Sequence, residues 1–315
     1  MMIYIAFILW ITNALLLLLE KRIIRLLIFM GSFSVVTALV YLLLAAPDLA
    51  MAEVAISSFT TVFFIICFEK YYLLSADKKD PYQTKQEFDL KRYGIPILLT
   101  GAMFFLFVTN LPEMNINDSL ARLYIENFNH QVGGLNSITA IYLGYRMFDT
   151  MFEALILVIA VAAVGHMSFY ADMTVKSGKM SGLKNSKVTM FTLRMLAPFV
   201  LIYGIYVIIN GHLGPGGGFQ GGLMIAIFFV CRYMAYDIYD MPIKKILKLE
   251  EYIFIITVIF AILLVFSGVM YYLPVNPSNP TVQSGHLILM NSLIGLKVAC
   301  GFIILFYRYI AIERR

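Results

Sequence analysis

"NGHLGPGGGFQGG", residues 210–222, places seven glycines and one proline in thirteen positions between two long apolar runs. The stretch superficially suggests a phosphate-binding loop, but no strand precedes it and no Lys-Ser/Thr follows it. A tight turn between antiparallel helices is the simplest account, yet such a turn needs one or two glycines. The flanking runs, "LIYGIYVII" and "LMIAIFFVC", decide the fold class. Each belongs to a continuously apolar segment near the length that crosses a bilayer as a helix. Hydrophobic residues make up 61% of the 315 positions and charged residues 14%, against about 25% charged in a soluble domain. The chain reads as an all-α, polytopic integral membrane protein of the cell (inner) membrane. Continuous rather than alternating apolarity excludes a β-barrel.

Nine spans are expected, at 3–19, 25–45, 49–68, 93–111, 148–170, 190–209, 219–235, 252–272 and 287–312. With the N-terminus outside and the C-terminus cytoplasmic, 21 of the 24 Lys and Arg residues fall on inner segments. That asymmetry supports the count, because one missed span would scramble it. The first run lacks a basic lead-in and a small-residue cleavage pattern, so it reads as a retained span.

Two polar stretches divide the spans three, two and four. Residues 1–75 form a three-span module, 76–92 a cytoplasmic linker and 93–175 a two-span module. Residues 176–187 form a second cytoplasmic linker and 188–315 a four-span module. In the outer segment, "SLARLYIENF" suits a short interfacial helix, and residues 136–146 suit a surface-lying approach to the fifth span.

Cys67, Cys231 and Cys300 are far apart and lie in or beside apolar runs. Clustered thiolates for an iron–sulfur or nickel centre are absent from the sequence, so no cofactor and no resident metal are expected. The net charge of +5 does not suggest nucleic-acid binding.

Ionisable residues within spans are the candidates for function, since each costs at least about 2.5 kcal/mol at the bilayer centre. Lys297 in "LIGLKVACG" sits roughly 15 Å into the last span. It suits a proton relay, or a charge partner that packs helices. In "APDLAMAEV", Asp48 follows Pro47 at a helix start, where a carboxylate complements the dipole. Glu53 lies deeper and has no such account. Asp149 and Glu153 share one helix face at i and i+4. Two carboxylates so placed repel unless they share a proton or hold a cation, so a transient Na⁺ fits there. Arg146 can pair with Asp149. His166, near the inner end of the same span, suits a proton shuttle or an interfacial hydrogen bond. His212 and His286 lack metal-ligand spacing, and His212 stays open as a relay.

In the glycine-rich stretch, Gly217 with Gly221 and Gly218 with Gly222 make overlapping small-xxx-small pairs for close helix contact. Gly211, His212, Pro215 and Gly216 complete the motif. Its backbone can also dip as a non-helical segment where it is buried in protein or lines water.

"YGIYVIINGHLGPGGGFQGGLMIA" resembles the signature of the MnhB/MrpB subunit of multisubunit Na⁺/H⁺ antiporters, and "SGHLILMNSLIGLKVACGFIILFY" resembles that family's closing segment, Lys297 included. "APDLAMAEVAISSFTTVFF" resembles the MbhD domain, and "SITAIYLGYRMFDTMFEALILVIAV" resembles MbhE. Departures are Gly214, where the motif often has Thr, Ser57 and Ser58, near a usual Gly of MbhD, and Phe152, where MbhE usually has Gly.

The resemblance implies a subunit of an antiporter module that contributes to Na⁺ and/or H⁺ translocation and has no catalysis of its own. It implicates Glu53, Asp149 and Glu153 in ion passage. The host is then an Mrp antiporter or a membrane-bound hydrogenase-type or other respiratory complex. Fusion to MnhB without the large antiporter subunit favours the second. Expected partners are the other membrane subunits, Na⁺ and H⁺, and the lipid bilayer. The alternative is a scaffold that bridges antiporter and oxidoreductase arms without conducting.

Overall fold

A computed structural model describes residues 2–20, 22–68, 98, 101–102, 105, 119–171, 187–236, 242–266 and 285–311. The described residues are nearly all helical, and eight of their helices are long and apolar enough to cross a membrane. The fourth expected span, 93–111, lies almost wholly outside the described residues. The chain is a multi-pass membrane protein.

The first group is α1 (Met2–Leu19), α2 (Ile23–Leu43) and α3 (Pro47–Phe68). Trp10 and Ser32 stitch α1 to α2 through hydrogen bonds of 2.9 Å to Thr37 and Asn13. The second begins with α4 (Ser119–Gln131) and the short α5 (Ser137–Ala140). A π-helical turn (Ile141–Tyr145) then leads into α6 (Met147–Ala171). The third comprises α7 (Lys187–Asn210), α8 (Gly218–Tyr236), α9 (Ile243–Phe266) and α10 (Gly285–Ala311).

Helix α10 is central. It packs on α6, α7, α8 and α9, while α3 packs on α8. The reason lies in its small residues. A side chain at Gly295 would collide with Ile208 of α7, and one at Gly301 would press on Leu157 of α6. Close approach of backbones is how helices associate where lipid offers no hydrophobic drive.

Two expectations need correcting. Residues 136–145 are not surface-lying: Asn136, Thr139, Ala140 and Leu143 are buried against the glycine-rich segment and α10. The eighth span starts nine residues earlier than expected, at Ile243 rather than 252. Its inward-facing period runs through Ile246, Leu247, Glu250, Ile253 and Thr257, so charge at Lys244, Lys245 and Lys248 sits on a helix already under way.

Candidate functional site

The glycine-rich stretch forms a junction of three separate parts of the chain. Asp48, in the first turn of α3, is buried. Its Oδ1 accepts from the Gly216 amide at 3.1 Å and from Asn136 Nδ2 at 3.1 Å. Asn136 Nδ2 also lies 3.2 Å from the Gly211 carbonyl and 2.8 Å from that of Gly214. Asn136 Oδ1 caps α5 by accepting from the Ile138 and Thr139 amides. Thr139 Oγ1 donates to the Gly211 carbonyl at 2.6 Å.

Asn291 of α10 completes the junction. Its Oδ1 accepts from the Gly218 amide at 3.0 Å and from Tyr142 Oη at 3.1 Å. The Gly216 and Gly218 amides, at the entry to α8, are thus satisfied by side chains of α3 and α10. The positive end of α8 faces the Asp48 carboxylate, as the helix dipole favours. Gly216 has φ 150°, a conformation that side-chain-bearing residues rarely take. A side chain at Gly217 would strike the Tyr142 hydroxyl, and one at Gly218 or Gly222 would strike the backbone of α10. Gly221 packs instead on Gly204 and Ile208 of α7.

His212 is buried, and its Nδ1 lies 2.9 Å from the Ile209 carbonyl. Its own carbonyl accepts from the Leu135 and Asn136 amides at 2.8 and 3.1 Å. Nε2 is buried without a hydrogen-bond partner among the described residues. Burial pushes the imidazolium pKa below its ordinary 6.5, so the ring is neutral. Burial likewise pushes the Tyr142 phenol up to about 12.

Asp149 and Glu153 stand one turn apart on α6. Arg146 Nε and Nη2 both reach Asp149 Oδ2 at 2.6 Å, on an exposed surface. Glu153 is exposed among Phe148, Phe152 and Ile156, themselves 57%, 62% and 66% exposed. Phe152 therefore points out of the fold alongside Glu153. Thr150 Oγ1 donates to the Tyr142 carbonyl at 2.7 Å, tying α6 to the π-helical turn. His166 is exposed on the same helix.

Lys297 is 1% exposed and faces Glu250, which is 2% exposed, at 3.4 Å. Its Nζ also donates to the Ala154 carbonyl of α6 at 2.5 Å and lies 5.8 Å from the Phe254 ring centroid. Glu53 is half-buried on α3, about 140° around the helix from Asp48. The structure thus joins Arg146 to Asp149 and Lys297 to Glu250. Glu53 and Glu153 stay on helices that pack against different neighbours, α8 for one and α9 and α10 for the other.

Sequence reasoning missed Glu250, Asn136 and Asn291, and gave Asp48 only a dipole role. Asn291 carried a signal, an amide within "LILMNSLIG". Glu250 became visible only with the earlier start of α9.

Comparison with known proteins agrees with the architecture. Residues 188–304 match the family described as a domain related to the MnhB subunit of Na⁺/H⁺ antiporters, and residues 8–72 match the MbhD family of MBH subunits. An Na⁺/H⁺ antiporter subunit of Bacillus subtilis (strain 168) is 29% identical over 150 residues, 48% of this chain and 18% of that protein. A Rhizobium meliloti (strain 1021) protein, named as a probable K⁺/H⁺ antiporter subunit, is 22% identical over 237 residues, 66% of this chain and 23% of its own. The chain thus spans less than a quarter of either relative's length. A chain of the Mrp complex from Dietzia sp. DQ12-45-1b superposes with TM-score 0.75 at 18% identity, over 99% of this chain and 35% of that one. A chain of the archaeal membrane-bound sulfane sulfur reductase, a respiratory membrane complex, gives TM-score 0.56 at 26% identity, over 70% of this chain and 98% of that one. One multi-pass membrane protein thus joins a stretch that matches the MbhD family, at 8–72, to a stretch that matches the domain related to the MnhB subunit of Na⁺/H⁺ antiporters, at 188–304.

Proposed function

We propose that this chain is a membrane subunit of a cation/proton antiporter module and lends carboxylates to the ion route. It has no redox centre of its own. One observation carries the reading. Glu153 stands in the apolar span Met147–His166 and is exposed from the fold among large apolar side chains. A carboxylate at such a place is tolerable where it meets water, a cation or a partner subunit, and not against bare lipid. Asp149, held by Arg146, adds a second carboxylate one turn away. Glu53 offers a third on α3. Chains of an Mrp complex and of the sulfane sulfur reductase are both similar to this one, so the host is an Mrp-type antiporter or a respiratory complex, and the fusion of the two domain types fits either.

The test is ΔpH-driven Na⁺ and K⁺ exchange in vesicles that carry the assembled complex. Glu153→Gln and Glu53→Gln should abolish exchange while the subunits still co-purify. Normal exchange in both variants would sink the reading.

A scaffold role is the second reading. The observation in its favour is the junction at Asp48, Asn136, Gly216 and Asn291, which ties distant parts of the chain together. It predicts the reverse: silent acidic variants, and loss of the complex on filling Gly221 or Gly222.

A further inference from the structure

Glu250 takes no part in the route proposed above, yet it is the most deeply buried carboxylate among the described residues. With Lys297 it forms an ion pair inside two apolar spans. Such a pair is often no more stabilising than well-packed apolar residues of equal volume. Packing alone is therefore a weak reason for it. Lys297 also touches the carbonyl of Ala154, the residue that directly follows Glu153 on α6.

We propose that Glu250 is a proton-accepting carboxylate and that Lys297 transmits its protonation state to the cation-holding carboxylates of α6. This inference rests on the ion-route reading. While Glu250 is ionised, the pair is neutral. A hydronium ion then gives its proton to a Glu250 carboxylate oxygen and leaves as water: one O–H bond of hydronium breaks, one O–H bond forms on Glu250, and Lys297 keeps its own protons. Its ammonium is left uncompensated in a low-dielectric interior, held by the Ala154 carbonyl beside Glu153. A positive charge there disfavours a cation at Asp149 and Glu153, so proton uptake drives cation release. Linkage makes the effect reciprocal: a bound cation disfavours the proton on Glu250 by the same factor. The charged and titratable groups facing Glu250 are Lys297 and the Cys300 thiol from α10 and Glu251 on its own helix. Helix α6 contributes the Ala154 carbonyl, bound to Lys297.

The experiment measures half-saturating Na⁺, with K⁺ as second probe, across a neutral-to-alkaline pH series in vesicles carrying the assembled complex. In the parent, half-saturating cation should rise as pH falls. Glu250→Gln mimics the protonated acid and should raise it about fivefold or more, with a flat pH profile. That variant strands a buried ammonium and can lose assembly. Glu250→Gln/Lys297→Met restores charge balance, and should assemble with low, pH-independent half-saturation. A parental pH profile in either variant overturns the proposal. Failure of the charge-balanced variant to assemble also counts against it, as the mark of a structural pair. Normal exchange in Glu153→Gln removes the ion-route reading itself. A dead Glu153→Gln beside a parental double variant removes this inference alone.

Discussion

The Asp48 carboxylate accepts the Gly216 amide at 3.1 Å, across 168 residues of sequence. The same oxygen accepts from Asn136, so one buried charge holds both the start of α8 and the cap residue of α5. Hydrogen bonds to a charged group contribute about 1.5–3 kcal/mol each, and the partners left behind are buried. Asp48→Ala should therefore lower the stability of the purified complex by about 3 kcal/mol. Asp48→Asn keeps an acceptor oxygen and should lose less. Equal melting temperatures for the parent and Asp48→Ala would show that the junction contributes little.

Glycines of the motif should differ sharply in tolerance. A side chain at Gly222 would strike the Gly295 carbonyl and the Val298 side chain. Gly222→Val forces α8 away from α10 and should cost about 1–3 kcal/mol or more, read as loss of the chain from the purified complex. At Gly214 the nearest atom to an added Cβ is Asn210 Nδ2 at 3.8 Å. Gly214→Thr should be neutral, in keeping with the threonine often found there in the resembling motif. A severe Gly214→Thr phenotype beside a mild Gly222→Val one would contradict this packing.

Much of the helical architecture was legible in the sequence, because the apolar runs and the i,i+4 spacing are local signals. The Arg146–Asp149 pair followed from three-residue spacing alone. The Lys297–Glu250 pair did not, because its partners sit on separate helices and the start of α9 was hidden by Lys244, Lys245 and Lys248. Those lysines read as a loop, yet they belong to the first turns of an already amphipathic helix. The glycine motif showed the same limit. Its density announced close backbone approach, but the acceptors of its amides, Asp48 and Asn291, lie 168 and 73 residues away. No sequence period encodes such contacts.

Tyr142 tests whether the junction moves protons or only holds position. Its hydroxyl donates to Asn291 and lies 3.4 Å from Thr139 Oγ1. With its pKa pushed up to about 12 by burial, the phenol stays neutral through the working range. Tyr142→Phe should cost about 1 kcal/mol through the lost hydrogen bond. It should leave the pH profile of exchange where it was. A shifted profile would make Tyr142 a participant in proton movement.

His212 should make the junction acid-sensitive. The closed junction holds its ring neutral, with a pKa below 6.5, whereas an opened segment lets the ring titrate at its ordinary value. Between these two values the opened form binds more protons, so stability falls as pH drops below about 6.5 and is level above it. Amide exchange of residues 132–136 and 211–217, corrected for intrinsic rates, should rise between about pH 7.5 and about pH 5.5. In His212→Asn that extra rise should vanish, because Asn carries no titrating proton. If the acid-dependent opening is the same in parent and variant, it comes from another group and His212 is only a packed neutral ring.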